Sequence, residues 1–208
     1  IEVGYGLIPL VDVDQDGQLL DRIKSLRRQI ARDLGIIVAP VHIQDNMQLK
    51  AGEYSILLKG NEIARGELMT NYYLAMNPNA IEEKIDGIPT QEPTYGLPAL
   101  WIKEDVKEHA LAKGFTVVDM ATVLTTHLSE IVKQHCHEIL GRQDVQQLLD
   151  TLKETHPKVV EELVPNLLPL GGVVRVLQNL LREQVPIRDL LAICETLADW
   201  ASATKDLD

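Results

Sequence analysis

Everything in this chain that reads as β-strand lies before Asp119, and everything after it reads as helix. Seven of the eight aromatic residues stand at or before Phe115, and only Trp200 follows. Strands draw on aromatic and β-branched residues that pack a pleated face, whereas a helix needs an apolar residue every three or four positions. The chain therefore has to build two architectures in sequence order, a mixed α/β part and then an all-α part.

Val3 to Leu10 reads as a first strand. A helix follows from about Gln18 to Leu34, where Leu19, Ile23, Leu26, Ile30 and Leu34 form one apolar stripe and Gly35 supplies a C-terminal stop. Ile36 to Gln44 is strand-like. Tyr54 to Lys59 and Glu62 to Met69 read as a hairpin turning at Gly60-Asn61, two residues that accept positive φ. Prolines at 78, 89, 93 and 98 then break the pattern, with a strand at Ala99 to Ile102, a short helix near Val106 to Lys113 and a strand-like Phe115 to Val118. Helices are expected at about Ala121 to Leu140, Asp144 to Thr155, Lys158 to Leu163, Gly172 to Glu183 and Ile187 to Ala201, with prolines at or near the breaks. The expected fold class is α/β plus all-α. Residues 1–70 and 120–139 form a discontinuous first α/β domain, 71–119 a small inserted α/β subdomain, and 140–208 a helical domain.

Composition narrows the function. The 208 residues carry a net charge of −11, spread over both parts, which argues against nucleic acid as a partner. No run of apolar residues is long enough to span a membrane, and Ile1 begins no signal peptide, as expected of a piece of a longer protein. Cys136 and Cys194 fall in apolar helical patterns far apart in sequence, which suits buried thiols in a reducing compartment.

Four features invite a chemical reading. Asp12-x-Asp14-x-Asp16-Gly17 matches the opening of a calcium loop, but its closing position is Ile23, part of the apolar stripe, so it reads as a turn placing acids before a helix N-terminus. His127, His135, Cys136 and His137 have metal-ligand side chains, yet neighbours on one helix diverge by about 100° each and His127 lies more than two turns away. Arg22, Lys24, Arg27, Arg28 and Arg32 read as a solvated face opposite the stripe. No phosphate loop and no nucleophile elbow occurs. The expectation is a protein without catalytic residues, metal or cofactor.

Gly114-Phe-Thr-Val-Val-Asp119, Thr126-His127-Leu128 and Gly141-Arg-Gln-Asp-Val-Gln-Gln-Leu-Leu-Asp150, at these separations, resemble the export-gate membrane proteins of flagellar and virulence type III secretion, the FlhA and InvA type. The likeness extends from Tyr5-Gly6-Leu7 through Tyr95-Gly-Leu-Pro-Ala-Leu-Trp-Ile102 to Val185-Pro-Ile-Arg-Asp189. It implies a docking platform on the cytoplasmic side of the bacterial inner membrane. The implied partners are export chaperone–substrate complexes and components of the export ATPase complex, with self-association as a ring. Membrane contact would come only through an N-terminal half outside this chain, and the family's terminal α/β subdomain would be missing. The resemblance also implies a dimple lined by Glu92, Tyr95 and Thr126, where chaperones carrying late substrates dock. The family's usual pattern has aspartate and phenylalanine at the first two positions, so this chain differs there by one methylene and one hydroxyl. The Glu-Pro-x-Tyr-Gly form leans toward the flagellar branch. A ring-forming structural module of a virulence apparatus is the alternative.

Overall fold

A computed structural model describes residues 1–12, 18–77, 84–201 and 203–204. They fall into two compact units, one of residues 1–26 and 40–131, the other of residues 27–39 and 132–208.

The first unit holds two four-stranded sheets. In the first, β1 (Glu2–Val3) lies between β2 (Gln44–Asp45), parallel to it, and β3 (Glu53–Leu58), antiparallel, and β4 (Asn61–Glu67) closes the edge. The expected first strand ends far sooner than Leu10. Gly4 and Gly6 donate their N–H groups to Glu53 O and Ala51 O at 2.8 and 2.9 Å, which bends the chain off the ladder into a 3₁₀ helix over Tyr5–Leu10. The hairpin also differs in its turn. Positive φ falls at Lys59 and Gly60, at 52° and 86°, because Asn61 already pairs with Leu58. Two central residues at positive φ match the twist of the flanking strands. Of the expected strand from Ile36 to Gln44 only Gln44 enters a sheet, although burial alternates at Ile36, Ile37 and Val38 as in a strand.

Helix α1 (Leu19–Leu34) buries Leu19, Ile23, Ile30 and Leu34 of the expected stripe, with Leu26 half-buried. The acidic loop at Asp14 and Asp16, and with it the calcium reading, lies outside the described residues.

The second sheet is antiparallel throughout, in the order β6 (Ile88–Gln91), β7 (Pro98–Ile102), β5 (Tyr73–Met76), β8 (Thr116–Val118). Neither β5 nor β6 is apparent in the sequence. Helix α2 (Glu104–Ala112) covers one face through Ala110, which joins Ala75, Ile102 and Phe115 in a core.

Helix α3 (Met120–Gln134) starts where β8 ends, and Asp119 caps it by accepting the Thr122 N–H at 2.7 Å. The single long helix expected here breaks at His135, and a short α4 (Cys136–Ile139) follows.

In the second unit, α5 (Arg142–Thr155), α6 (Pro157–Glu162), α7 (Leu170–Arg182) and α8 (Leu190–Trp200) succeed one another close to the expected limits. Helix α7 buries Val173, Val174, Leu177 and Leu181 in the core. Both cysteines are free and buried. Leu34 O accepts the Ile187 N–H at 2.8 Å, and Gly35, at φ 81°, sits so close that a Cβ there would lie 2.5 Å from Arg188 N. A side chain at Gly35 meets both left-handed strain and a backbone clash, so Gly35→Ala is expected to destabilise the fold by about 2–4 kcal/mol in chemical denaturation.

Candidate docking site

Strands β6 and β7 are joined by a six-residue turn, Glu92 to Leu97, whose centre is a buried carboxylate. Glu92 is only 6% exposed. Its Oε1 accepts the Thr94 N–H at 2.7 Å and its Oε2 accepts the Tyr95 N–H at 2.8 Å. Its backbone closes the same turn, with Glu92 N–H donating to Leu97 O and Gly96 N–H to Glu92 O, both at 2.8 Å. Gly96 takes φ 68°, a conformation glycine adopts at no steric cost. A buried acid is tolerable only when its lone pairs are met, and two backbone donors on separate oxygens do that here.

The turn thrusts its apolar side chains outward. Tyr95 is 64% exposed and Leu97 53%. In this turn the acid is inside and the ring outside. The Tyr95 hydroxyl lies 3.4 Å from Glu130 Oε2, long for an O–H···O bond. The charge of Glu130, followed by some burial, pushes the Tyr95 phenol above its ordinary range.

Thr126 is exposed on α3, four residues before Glu130, so the two share one helix face. The structure thus brings the Tyr95 hydroxyl to Glu130, on the helix face that also carries Thr126, while Glu92 is buried. Glu130 escaped notice in the sequence, although the i, i+4 spacing from Thr126 was a signal available to find it.

His127, the residue after Thr126, points inward. It is 4% exposed, and its Nδ1 lies 2.7 Å from the Tyr54 hydroxyl with the rings edge to face. Tyr54 reaches it across Gly66, where a Cβ would sit 2.4 Å from the phenol ring. Burial pushes the Tyr54 phenol far up, and the Glu92 charge adds to this. Burial also lowers the His127 pKa below 6.5, against a smaller opposing pull from Glu92. Glu92, Tyr54 and His127 are therefore within electrostatic reach of one another, a buried polar cluster under the exposed face.

The other metal-type side chains have different roles. His135 Nδ1 pairs with Glu138 at 2.7 Å, and the Cys136 thiol donates to Leu181 O at 3.7 Å. Among the described residues no three histidine, cysteine or acidic side chains are grouped to hold a metal. Of the basic run, Arg22 forks onto Asp119 at 2.8 and 2.9 Å and also meets the Thr122 hydroxyl. Burial raises the Asp119 carboxyl, but the Arg22 and Thr122 hydrogen bonds outweigh it and the net shift is downward. With Gly6, Pro9, Thr70 and Asn71 this pair lines an open cleft of about 290 Å³. Lys24 pairs with Asp21 and Arg27 donates to Val38 O.

The sequence profile of the FHIPEP family matches residues 1–208, the whole chain. The chain belongs to that family. It is 52% identical over 207 residues to the flagellar biosynthesis protein FlhA of Bacillus subtilis, covering all of this chain and 31% of the relative. Its fold is similar to that of the Chlamydia pneumoniae CdsV protein in complex with CdsO. There the TM-score is 0.86 and the identity 26%, over 99% of this chain and 64% of that one. The nonameric SctV-C of EPEC shares the fold with a TM-score of 0.73 at 21% identity, over 99% of this chain and 60% of that one. The chain spans about a third of the length of the flagellar relatives it matches. Among the described residues no helix is long and apolar enough to cross a membrane.

The unfolded chain takes up a proton at histidine near pH 6.5 while the folded chain resists it at His127, so this contribution to stability is intact above pH 6.5 and is lost as pH falls through the lower folded value. Urea denaturation between pH 7 and pH 5 is expected to show that decline, and His127→Gln to flatten it. The same substitution at pH 7 should cost about 1–3 kcal/mol by disturbing the bond to the Tyr54 hydroxyl.

Proposed function

We propose that this chain is a docking surface for export chaperones carrying late flagellar substrates, centred on the Glu92–Leu97 turn and the Thr126 face of α3. The observation that carries the reading is the outward tyrosine. A large ring, 64% exposed, stands on a turn braced from below by a buried carboxylate. A rigid aromatic loses little entropy on binding, and such side chains dominate interfaces. Family membership supplies the context, as part of a longer export-gate protein presenting this surface on the cytoplasmic side of the inner membrane.

The role is binding, with no catalytic step, and membrane contact belongs to the rest of the longer protein. Two further partners follow from the relatives. The complex of CdsV with CdsO favours a contact with another protein, for which the family likeness implies components of the export ATPase complex, and the nonameric SctV-C favours ring formation by the longer protein. The second reading, a ring-forming structural module, rests on that last neighbour.

Titration calorimetry with a flagellar late chaperone bound to its substrate separates the two. Tyr95→Ala is expected to weaken binding about thirtyfold or more, as loss of a central aromatic anchor does. Thr126→Met should weaken it by crowding the same face, and Tyr95→Phe should bind within about twofold, since the hydroxyl contact is long. Unchanged binding in Tyr95→Ala, together with concentration-dependent self-association in sedimentation, would favour the structural module instead.

A further inference from the structure

The exposed docking residues rest on a buried group that can take up a proton. His127 follows Thr126 on α3, is 4% exposed and has its Nδ1 2.7 Å from the Tyr54 hydroxyl. Among the described residues two titratable groups face it from neighbouring elements, Tyr54 on β3 and the Glu92 carboxyl in the β6–β7 turn, while Glu130 stands three residues further along its own helix. A neutral imidazole carries one N–H and one lone pair, so it can meet the hydroxyl in either sense, whereas an imidazolium can only donate. The added proton therefore either forbids the hydroxyl to donate or sits on Nε2, where burial leaves little water to meet it. The positive charge has two ways to be relieved. His127 can swing toward solvent, which turns α3 and carries Thr126 and Glu130 with it, or the Glu92 carboxyl can be drawn to the imidazolium and away from the Thr94 and Tyr95 N–H groups. Both routes end at the docking surface.

We propose that the Tyr54–His127 pair is a pH-sensitive latch on the docking surface: with the imidazole neutral the surface is set for its chaperone–substrate partner, and proton uptake at His127 releases that partner. This inference rests on the docking role of the Glu92–Leu97 turn and α3. Its direction follows from burial, which makes His127 harder to protonate than a free imidazole. Docking is therefore unimpaired above pH 6.5 and weakens as pH falls through the lower folded value.

The test is calorimetric titration of this whole chain with a flagellar late chaperone bound to its substrate, at steps between about pH 7 and pH 5, with near-UV circular dichroism checking the fold at each step. The parent is expected to lose affinity severalfold over that range, approaching about tenfold per pH unit below the folded value, the limit for one linked proton. His127→Gln, which cannot be charged, should lose clearly less, and the partner's own titration cancels in the difference. Nuclear magnetic resonance of the unbound parent needs no variant: the Thr94, Tyr95 and Thr126 amide signals should move with the same midpoint as the His127 imidazole. The inference falls if parent and His127→Gln lose affinity equally, if the parent keeps its full affinity at the lowest pH or unfolds before losing it, or if those amide signals ignore the His127 midpoint. Tyr95→Ala at neutral pH tests the docking role separately. Binding as tight as the parent's brings down both, whereas lost binding beside a parent indifferent to pH brings down the latch alone.

Discussion

The bond between the Tyr54 hydroxyl and His127 Nδ1 fixes which way helix α3 faces. Tyr54 is anchored in the middle of the first sheet, with Gly66 on the next strand leaving the space its ring needs. Once His127 is drawn to it, the geometry of an α-helix leaves little choice about the neighbours: Thr126 is rotated about 100° away, and Glu130 comes back over Thr126 one turn later. The start of the same helix is held by Asp119, which caps it and carries the fork of Arg22. With its start and its rotation both determined, α3 becomes a fixed wall against which the β6–β7 turn is set. The outward residues of the candidate site are a product of inward ones.

The two halves of that site are stabilised by different physics. On the helix, an apolar environment and one neutral polar pair hold His127 uncharged. In the turn, a buried carboxyl group is satisfied because a backbone N–H converges on each of its oxygens. Each arrangement is costly if half completed, since a buried donor or acceptor without its partner loses its hydration for nothing. The lower layer is therefore expected to be intolerant of change while the upper layer, made of Tyr95, Leu97, Thr126 and Glu130, is freer to vary.

The helices were legible because their signal is repeated many times. The stripe of α1 and the buried set of α7 recur through more than two turns, and no single residue decides the pattern. The strands were less so. Tyr73–Met76 and Ile88–Gln91 are four residues each, too short for a period of two to stand out, and Pro89 within the second argues against a strand except at an edge, which is where β6 lies. The apolar run after Val3 failed as a strand for a non-local reason, the pull of the Ala51 and Glu53 carbonyls on Gly4 and Gly6. At the candidate site, the family likeness pointed to Glu92, Tyr95 and Thr126, but it could not tell which would be buried. An acid between prolines usually faces water. That Glu92 turns inward depends on two N–H groups becoming available at its own turn, a matter of backbone conformation that residue types do not announce.

The inward carboxylate also changes what a charge-neutralising substitution there would measure. A carboxamide keeps the shape of Glu92 but offers one oxygen and one NH2 where two oxygens now each receive a backbone N–H. Whichever way the amide is flipped, one donor is set against another, and either the Thr94 or the Tyr95 end of the turn must open. Such a variant would tilt the aromatic ring as surely as it removed a charge. A loss of partner affinity in it would thus speak of the architecture of the loop, and leave the electrostatics of recognition unaddressed.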